Sequence, residues 1–283
     1  MSISILAFGS VCRADFDALS DRDVLIVSDN SQAAASAKKL YSSKGWSVAC
    51  YSWKRIESLV RGGYLFAKHL RDESKAIQDC EGRLQDTLRA YKEPTNFSPR
   101  ILEARRLFSH VQSYPRTSIG RAWVADCLAV TVRNFGIVSL AEQEISEFSF
   151  SGIIQKIGHV YGLNSDDRND LISLRSFKHR YRQAACTAPS PSDAFISRIR
   201  RIVNRKLKLD LHLEGIAPKS VLQDVMREWS DSGCAYERMR VFEKAAVARG
   251  VRGEHLYLGA PQLYAQTFQI GSSRETELSK LLC

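Results

Sequence analysis

The sequence predicts an α+β protein: a small N-terminal sheet with helices, followed by a mostly α-helical bundle region. Three observations carry this. The apolar runs Ile3–Phe8 and Val24–Val27, each bounded by turn residues, have the length and composition of buried strands. A polar, non-periodic stretch with two prolines, Lys92 to Pro99, marks a linker. From Arg100 onward, apolar residues recur at helical spacing.

The elements follow in order. The first apolar run closes on Gly9-Ser10, and a polar segment leads to the second. Ser31–Lys44 is rich in alanine and stops at Gly45, which predicts a helix. Trp46–Trp53 predicts a third strand and Lys54–Arg61 a helix closed by Gly62-Gly63. Strands alternating with helices place a site at the strand ends. Leu65, Phe66 and Leu70 share one helical face, with Lys68 and His69 beside them.

Beyond the linker, Ile101, Ala104, Leu107, Phe108 and Val111 form one stripe on a helix ended by Pro115. Ile119–Leu140 is apolar enough to be the centre of a bundle. Arg133 inside it calls for a partner: a substrate anion, or Asp126, Glu142 or Glu144. Phe150–Tyr161 predicts a further helix. The next opens on Asn164 with an acidic first turn and ends in the basic, aromatic-interleaved run Leu174–Arg182. Ala184–Ser192 reads as a second linker. Helices are then expected over Phe195–Leu209, Pro218–Trp229, Ala235–Arg249 and Glu275–Leu282. The domain organisation this gives is 1–93, 100–184 and 193–283.

Composition narrows the class. The chain has 283 residues, 44% hydrophobic and 25% charged, as globular proteins do. Its seven cysteines are scattered, odd in number and without a Cys-x-x-Cys pair, which points to reduced thiols in a cytoplasm and away from a disulfide framework. No uninterrupted apolar run reaches membrane-span length, and the first residues lack a signal-peptide layout. A formal charge of +10 suits an anionic partner. Arg198, Arg200, Arg201, Arg205, Lys206 and Lys208 follow one another with no acid between them, the densest nucleic-acid footprint in the chain, and RNA is the expected partner. A homodimer is compatible with this composition.

The stretch from Phe8 to Val27 carries the chemistry. Asp21 and Asp23 are one residue apart at the head of an apolar strand, where both carboxylates aim at one spot. Two carboxylates so placed repel unless a cation joins them, and Mg²⁺ (or Mn²⁺) suits a carboxylate-plus-phosphate site. Gly9 lets the backbone approach a phosphate closely, and Ser10 can donate to it.

Gly9-Ser10, Arg13, Ser20-Asp21 and Asp23 together resemble the signature of the polymerase-β-like nucleotidyltransferase superfamily. The likeness is to its minimal and antibiotic-modifying branches, with Cys12 in place of the usual alanine and Ala14 in place of the usual glycine. Leu65-Phe66, His69-Leu70 and Glu73 are similar to a further segment of such proteins. The resemblance spans the first domain. It implies Mg²⁺ on Asp21 and Asp23, NTP phosphates on Gly9 and Ser10, and Arg13, Ser20 and Lys68 nearby.

It also implies a third carboxylate on the strand beside the acid pair. Trp46–Trp53 contains none. The nearest acids downstream are Asp72, Glu73, Asp79, Glu81 and Asp86; either Asp79 or Asp86 could sit on a last strand, and Asp79, next to Ala76-Ile77 and a turn at Cys80–Gly82, is the catalytic candidate. The implied activity is transfer of an NMP from an NTP to an acceptor hydroxyl, on RNA (such as the end of a tRNA) or on a small molecule such as an aminoglycoside. The alternative is a catalytically impaired binding module of a toxin–antitoxin or phage-defence pair.

Overall fold

A computed structural model describes residues 3–14, 16–17, 20–109, 111–182, 190–232 and 235–253. The expected helix at Glu275–Leu282, and most of the second linker, lie outside the described residues. The protein is α+β, with a small mixed sheet and many helices. It divides into two compact units, Met1–Phe97 with Glu144–Ser149, and Ser98–Gln143 with Phe150–Cys283.

In the first unit, β1 (Ser4–Phe8) leads through a single 3-10 turn (Gly9–Cys12) and a loop to β2 (Asp23–Val27). Then come α1 (Ser31–Ser43), β3 (Ser47–Tyr51), α2 (Trp53–Arg61), α3 (Leu65–Asp72), β4 (Ser74–Gln78) and α4 (Arg83–Arg89). The sheet order is β3-β2-β1-β4, with β2 parallel to β3 and β1 antiparallel to both its neighbours.

The central strands are continuous apolar runs because both faces are covered. Leu6, Phe8, Leu25 and Val27 pack on Trp53, Ile56, Leu59, Leu70, Leu84 and Leu88 of α2–α4. Ile5, Val24 and Ile26 face Ala34, Ala37 and Tyr41 of α1. Each fully buried Leu or Ile in these layers contributes about 1.5–3 kcal/mol. Asn30 starts α1 by accepting from the Ala33 N–H at 3.0 Å, and Ser52 starts α2 by accepting from Arg55 at 3.2 Å.

The second unit contains α5 (Ser98–Ser109), β5 (Ser113–Pro115), α6 (Ser118–Ala141), α7 (Phe150–Tyr161) and α8 (Ser165–Arg182). It continues with α9 (Asp193–Arg205), β6 (Glu214–Ile216), α10 (Pro218–Asp231) and α11 (Ala235–Ala248). α5 stops before Pro115 because residues 113–115 pair with β6 as a short parallel ladder. Apart from Glu144–Ser149, the described residues of the expected regions 100–184 and 193–283 fall in one unit.

Their union has a physical cause in α6, which runs through the middle with Trp123, Leu128, Val132 and Phe135 buried. By length and composition alone α6 could cross a membrane, although Arg121, Asp126 and Arg133 interrupt its apolar residues, and 72% of its apolar window is buried inside the protein. Asp126, fully buried on α6, accepts from Arg182 Nε of α8 at 2.8 Å and from Arg240 of α11 at 2.6 Å. Arg240 also donates to Glu243 at 2.7 Å, and Glu243 accepts from the Trp123 indole at 3.2 Å. Asp126 is therefore engaged by Arg182 and Arg240, and Arg133 stands half-buried on the same helix.

Candidate functional site

The antiparallel register of β1 and β2 builds the candidate site. Phe8 pairs with Asp23, so the bend that leaves β1 sits beside the acids that open β2. The bend needs glycine: Gly9 has φ +73°, a left-handed conformation that costs a side-chain-bearing residue about 1–2 kcal/mol. A Cβ on Gly9 would lie 3.5 Å from Asp23 Oδ2 and 3.7 Å from His69 Nε2. The carboxylate and the imidazole thus converge over the bare glycine. Ser10 Oγ donates to the Asp21 main-chain carbonyl at 2.9 Å and ties the bend to the loop that carries the acids. Asp23 follows the side-chain alternation of Leu25 and Val27 and so belongs to the face that packs on α2–α4.

α3 supplies the other wall. The Gly9 N–H donates to the Glu73 carbonyl at 3.0 Å, and His69 Nε2 lies 3.3 Å from Glu73 Oε2, a contact between helical neighbours four residues apart. Arg13 pairs with the same Glu73 oxygen. Burial pushes the Glu73 carboxyl up, but the bonds from His69 and Arg13 outweigh it and hold the group below the ordinary range. His69 itself is buried. It stacks on Phe148 with ring centroids 4.5 Å apart and the planes inclined by 10°, and meets Phe8 edge-on at 5.8 Å. Phe148 belongs to the segment Glu144–Ser149, where Glu147 Oε1 accepts from the Phe148 and Ser149 amides at 3.1 and 2.9 Å.

The expected site residues divide accordingly. Gly9, Ser10, Asp21 and Asp23 come together, with Asp21 exposed and Asp23 half-buried. Arg13 is close by but bound to Glu73. Ser20 turns to its own loop, donating to Asp17 Oδ1 at 2.9 Å and accepting from the Asp17 amide at 3.0 Å. Lys68, nearly buried, pairs with Glu93.

Asp79 is corrected: it stands at the far end of β1, about 13 Å along the strand from the bend. There it accepts from Ser4 Oγ at 2.8 Å and from the Leu84 and Gln85 amides at 3.1 and 3.0 Å, so it caps α4. Asp86 is exposed and paired with Arg89. The acid that does approach the bend is Glu73. Its signal in the sequence is the His69–Glu73 spacing at the end of α3.

Among the described residues, no group of three or more His, Cys, Asp or Glu side chains is arranged to hold a metal ion. The Asp23 carboxylate over Gly9, with Asp21 on the loop that leads to it, would suit Mg²⁺, which is commonly bound by one or two carboxylates together with substrate phosphates and water. The thiols of Cys12 and Cys50, pushed up by burial, are not activated nucleophiles.

In the second unit, the residues expected to meet RNA also divide. Arg198 is bound bidentately by Asp170 at 2.8 and 3.2 Å, and Lys206 Nζ donates to the Gly162 carbonyl at 3.4 Å. Arg200, Arg201 and Arg205 line a groove of about 870 Å³. No family model, curated protein or solved structure matches the chain.

Proposed function

We propose that the first unit is a nucleotidyltransferase: it binds an NTP with Mg²⁺ and passes the NMP to an acceptor hydroxyl. The observation that carries this reading is the convergence of Asp23 on the left-handed Gly9, with Ser10 tying the bend to Asp21. In this reading Asp21 and Asp23 hold the metal, which would neutralise triphosphate charge and polarise the phosphoryl oxygens. A phosphate would approach the backbone at Gly9, whose left-handed conformation favours glycine and which lies beside Asp23 and His69. The Glu73–Arg13–His69 cluster fixes the bend by holding the segment that accepts the Gly9 amide. The acceptor oxygen forms a bond to the α-phosphorus as the α–β bridging bond breaks. Pyrophosphate leaves, and the hydroxyl proton passes to solvent.

A second reading is favoured by one observation. β3 carries no acid, Asp79 is a helix cap, and Glu73 is already engaged by Arg13 and His69. This supports a nucleotide-binding module of a toxin–antitoxin or phage-defence pair, without transfer. Incubation with each α-labelled NTP, Mg²⁺ and total RNA or small-molecule acceptors separates the two. Label on an acceptor, absent with Asp21→Ala/Asp23→Ala, supports the enzyme. Nucleotide binding with no label on any acceptor supports the module.

A further inference from the structure

The groove in the second unit has a construction of its own. After α9 the chain turns at Lys208, where φ is +56°, and over Leu207–Leu213 it buries Leu207, Leu209, Leu211 and Leu213 and exposes Lys208, Asp210 and His212 between them. α9 is stitched to this strap. Asn204 accepts from the Leu211 amide at 2.8 Å and donates to the Leu211 carbonyl at 3.1 Å, and Arg200 donates to the Leu213 carbonyl at 3.1 Å. The strap then enters β6, so one wall is α9, the floor is the strap, and the opposite wall is α10.

The groove's arginines are only partly balanced by its own acids. Of the acids on its walls, Asp224 is paired with Arg227 at 2.8 Å, and Glu228 is held by Lys244 at 2.6 Å. Arg201 and Arg205 are exposed and have no ion pair among the described residues. They stand one helical turn apart, about 6 Å along the axis. Past Arg200 the groove continues into a second cavity of about 210 Å³ that Arg116 also lines. The row Arg116, Arg200, Arg201, Arg205 therefore extends over more than a single phosphate group. The main groove alone is at the upper end of the roughly 300–1,000 Å³ of a small-ligand site. Guanidinium groups bind phosphate oxygens bidentately and remain charged at all working pH values.

One acid interrupts the row. Glu214 lines both cavities and has no ion pair among the described residues. A carboxylate repels phosphate, so beside a polyanion it is favourable only when the ligand offers it a donor. A ribose 2′-hydroxyl is such a donor, and DNA lacks it.

We propose that this groove binds single-stranded RNA through its phosphates, with Glu214 reading the 2′-hydroxyl. The inference does not rest on nucleotidyl transfer by the first unit. The test is fluorescence anisotropy of the full chain with a labelled single-stranded RNA of about 12 nucleotides and the DNA of the same sequence. Wild type binds the RNA more tightly than the DNA. R201E/R205E weakens RNA binding at least about tenfold at 0.1 M salt. R201A/R205A lowers the slope of log K against log[salt] by about 1.4, that is about 0.7 for each phosphate left without its arginine. Glu214→Gln narrows the gap between RNA and DNA. Both arginines are exposed, and an unchanged thermal midpoint verifies that the variants fold. Asp21→Asn/Asp23→Asn binds the RNA as wild type does, so failure of the first unit's chemistry is scored separately. Equal RNA affinity in wild type and R201E/R205E overturns the proposal. DNA bound as tightly as RNA by wild type overturns the assignment to RNA.

Discussion

The two units each bring carboxylates and arginines together, and they do so in opposite ways. In the second, Asp126 is fully buried between the guanidinium groups of Arg182 and Arg240, with Glu243 and the Trp123 indole closing the far side. In the first, Glu73, Arg13 and His69 form a comparable knot, but Asp21 stays exposed and Asp23 half-buried over the left-handed Gly9. A closed ionic cluster fastens helices together. An open one keeps capacity for a ligand. Buried charge by itself is therefore no mark of a site; the mark is charge held in place beside room for something else.

Breaking the closed cluster has the largest effect. Asp126→Ala removes the buried carboxylate that Arg182 and Arg240 share, leaving Arg240 only Glu243 of the two acids described, and costs about 3–5 kcal/mol, read by urea denaturation of the full chain. A change within experimental error would mean that the cluster does not hold the unit together.

Acid sharpens the same point. Burial pushes the Asp126 carboxyl up, yet Arg182 and Arg240 outweigh it and hold it below its usual 3.8. A lowered carboxyl stabilises the fold fully above the unfolded value and loses that contribution as pH falls through the folded one. The contribution of Asp126 should thus be full and independent of pH near neutrality and be lost on acidification below pH 3.8, with a shallower fall in Asp126→Asn. An identical acid limb in the variant would contradict this.

In the open cluster, the corresponding change is smaller in stability and larger in binding. Gly9→Ala forces a side chain into φ +73° and costs about 1–2 kcal/mol by thermal denaturation, while nucleotide binding is abolished. Retained binding would show that the space over Gly9 is not used. The smallest effect is expected at the surface. Arg198→Ala removes an exposed pair with Asp170 and changes stability by only about 0.2–1 kcal/mol.

How much of this is legible in the sequence follows from where each residue's partners lie. β1 and β2 are legible because both faces are covered, which writes them as unbroken apolar runs. β4 is not: Ser-Lys-Ala-Ile-Gln is an edge strand, exposed over four of its five residues, and carries no apolar pattern. The same gap hides the place of Asp79, whose distant partner Ser4 meets it only once β4 has paired with β1.

α9 ends at Arg205 rather than Leu209, because Ile199, Ile202, Val203 and Leu207 keep helical spacing past its true end. The leucine alternation from Leu207 to Leu213 matches the alternate burial of the strap that follows the turn at Lys208. The acid pair and the Gly-Ser bend are visible as a motif. Their meeting with His69 and Glu73 depends on a contact between β1 and the end of α3 that no local pattern encodes.

The most direct test of the acid pair and the bend is calorimetric titration of an NTP into the full chain, with and without Mg²⁺, for wild type and Asp21→Asn/Asp23→Asn. The account predicts binding that requires Mg²⁺ in the wild type and is absent in the variant, whose thermal midpoint is unchanged. Equal binding by both proteins, or binding indifferent to Mg²⁺, would contradict it.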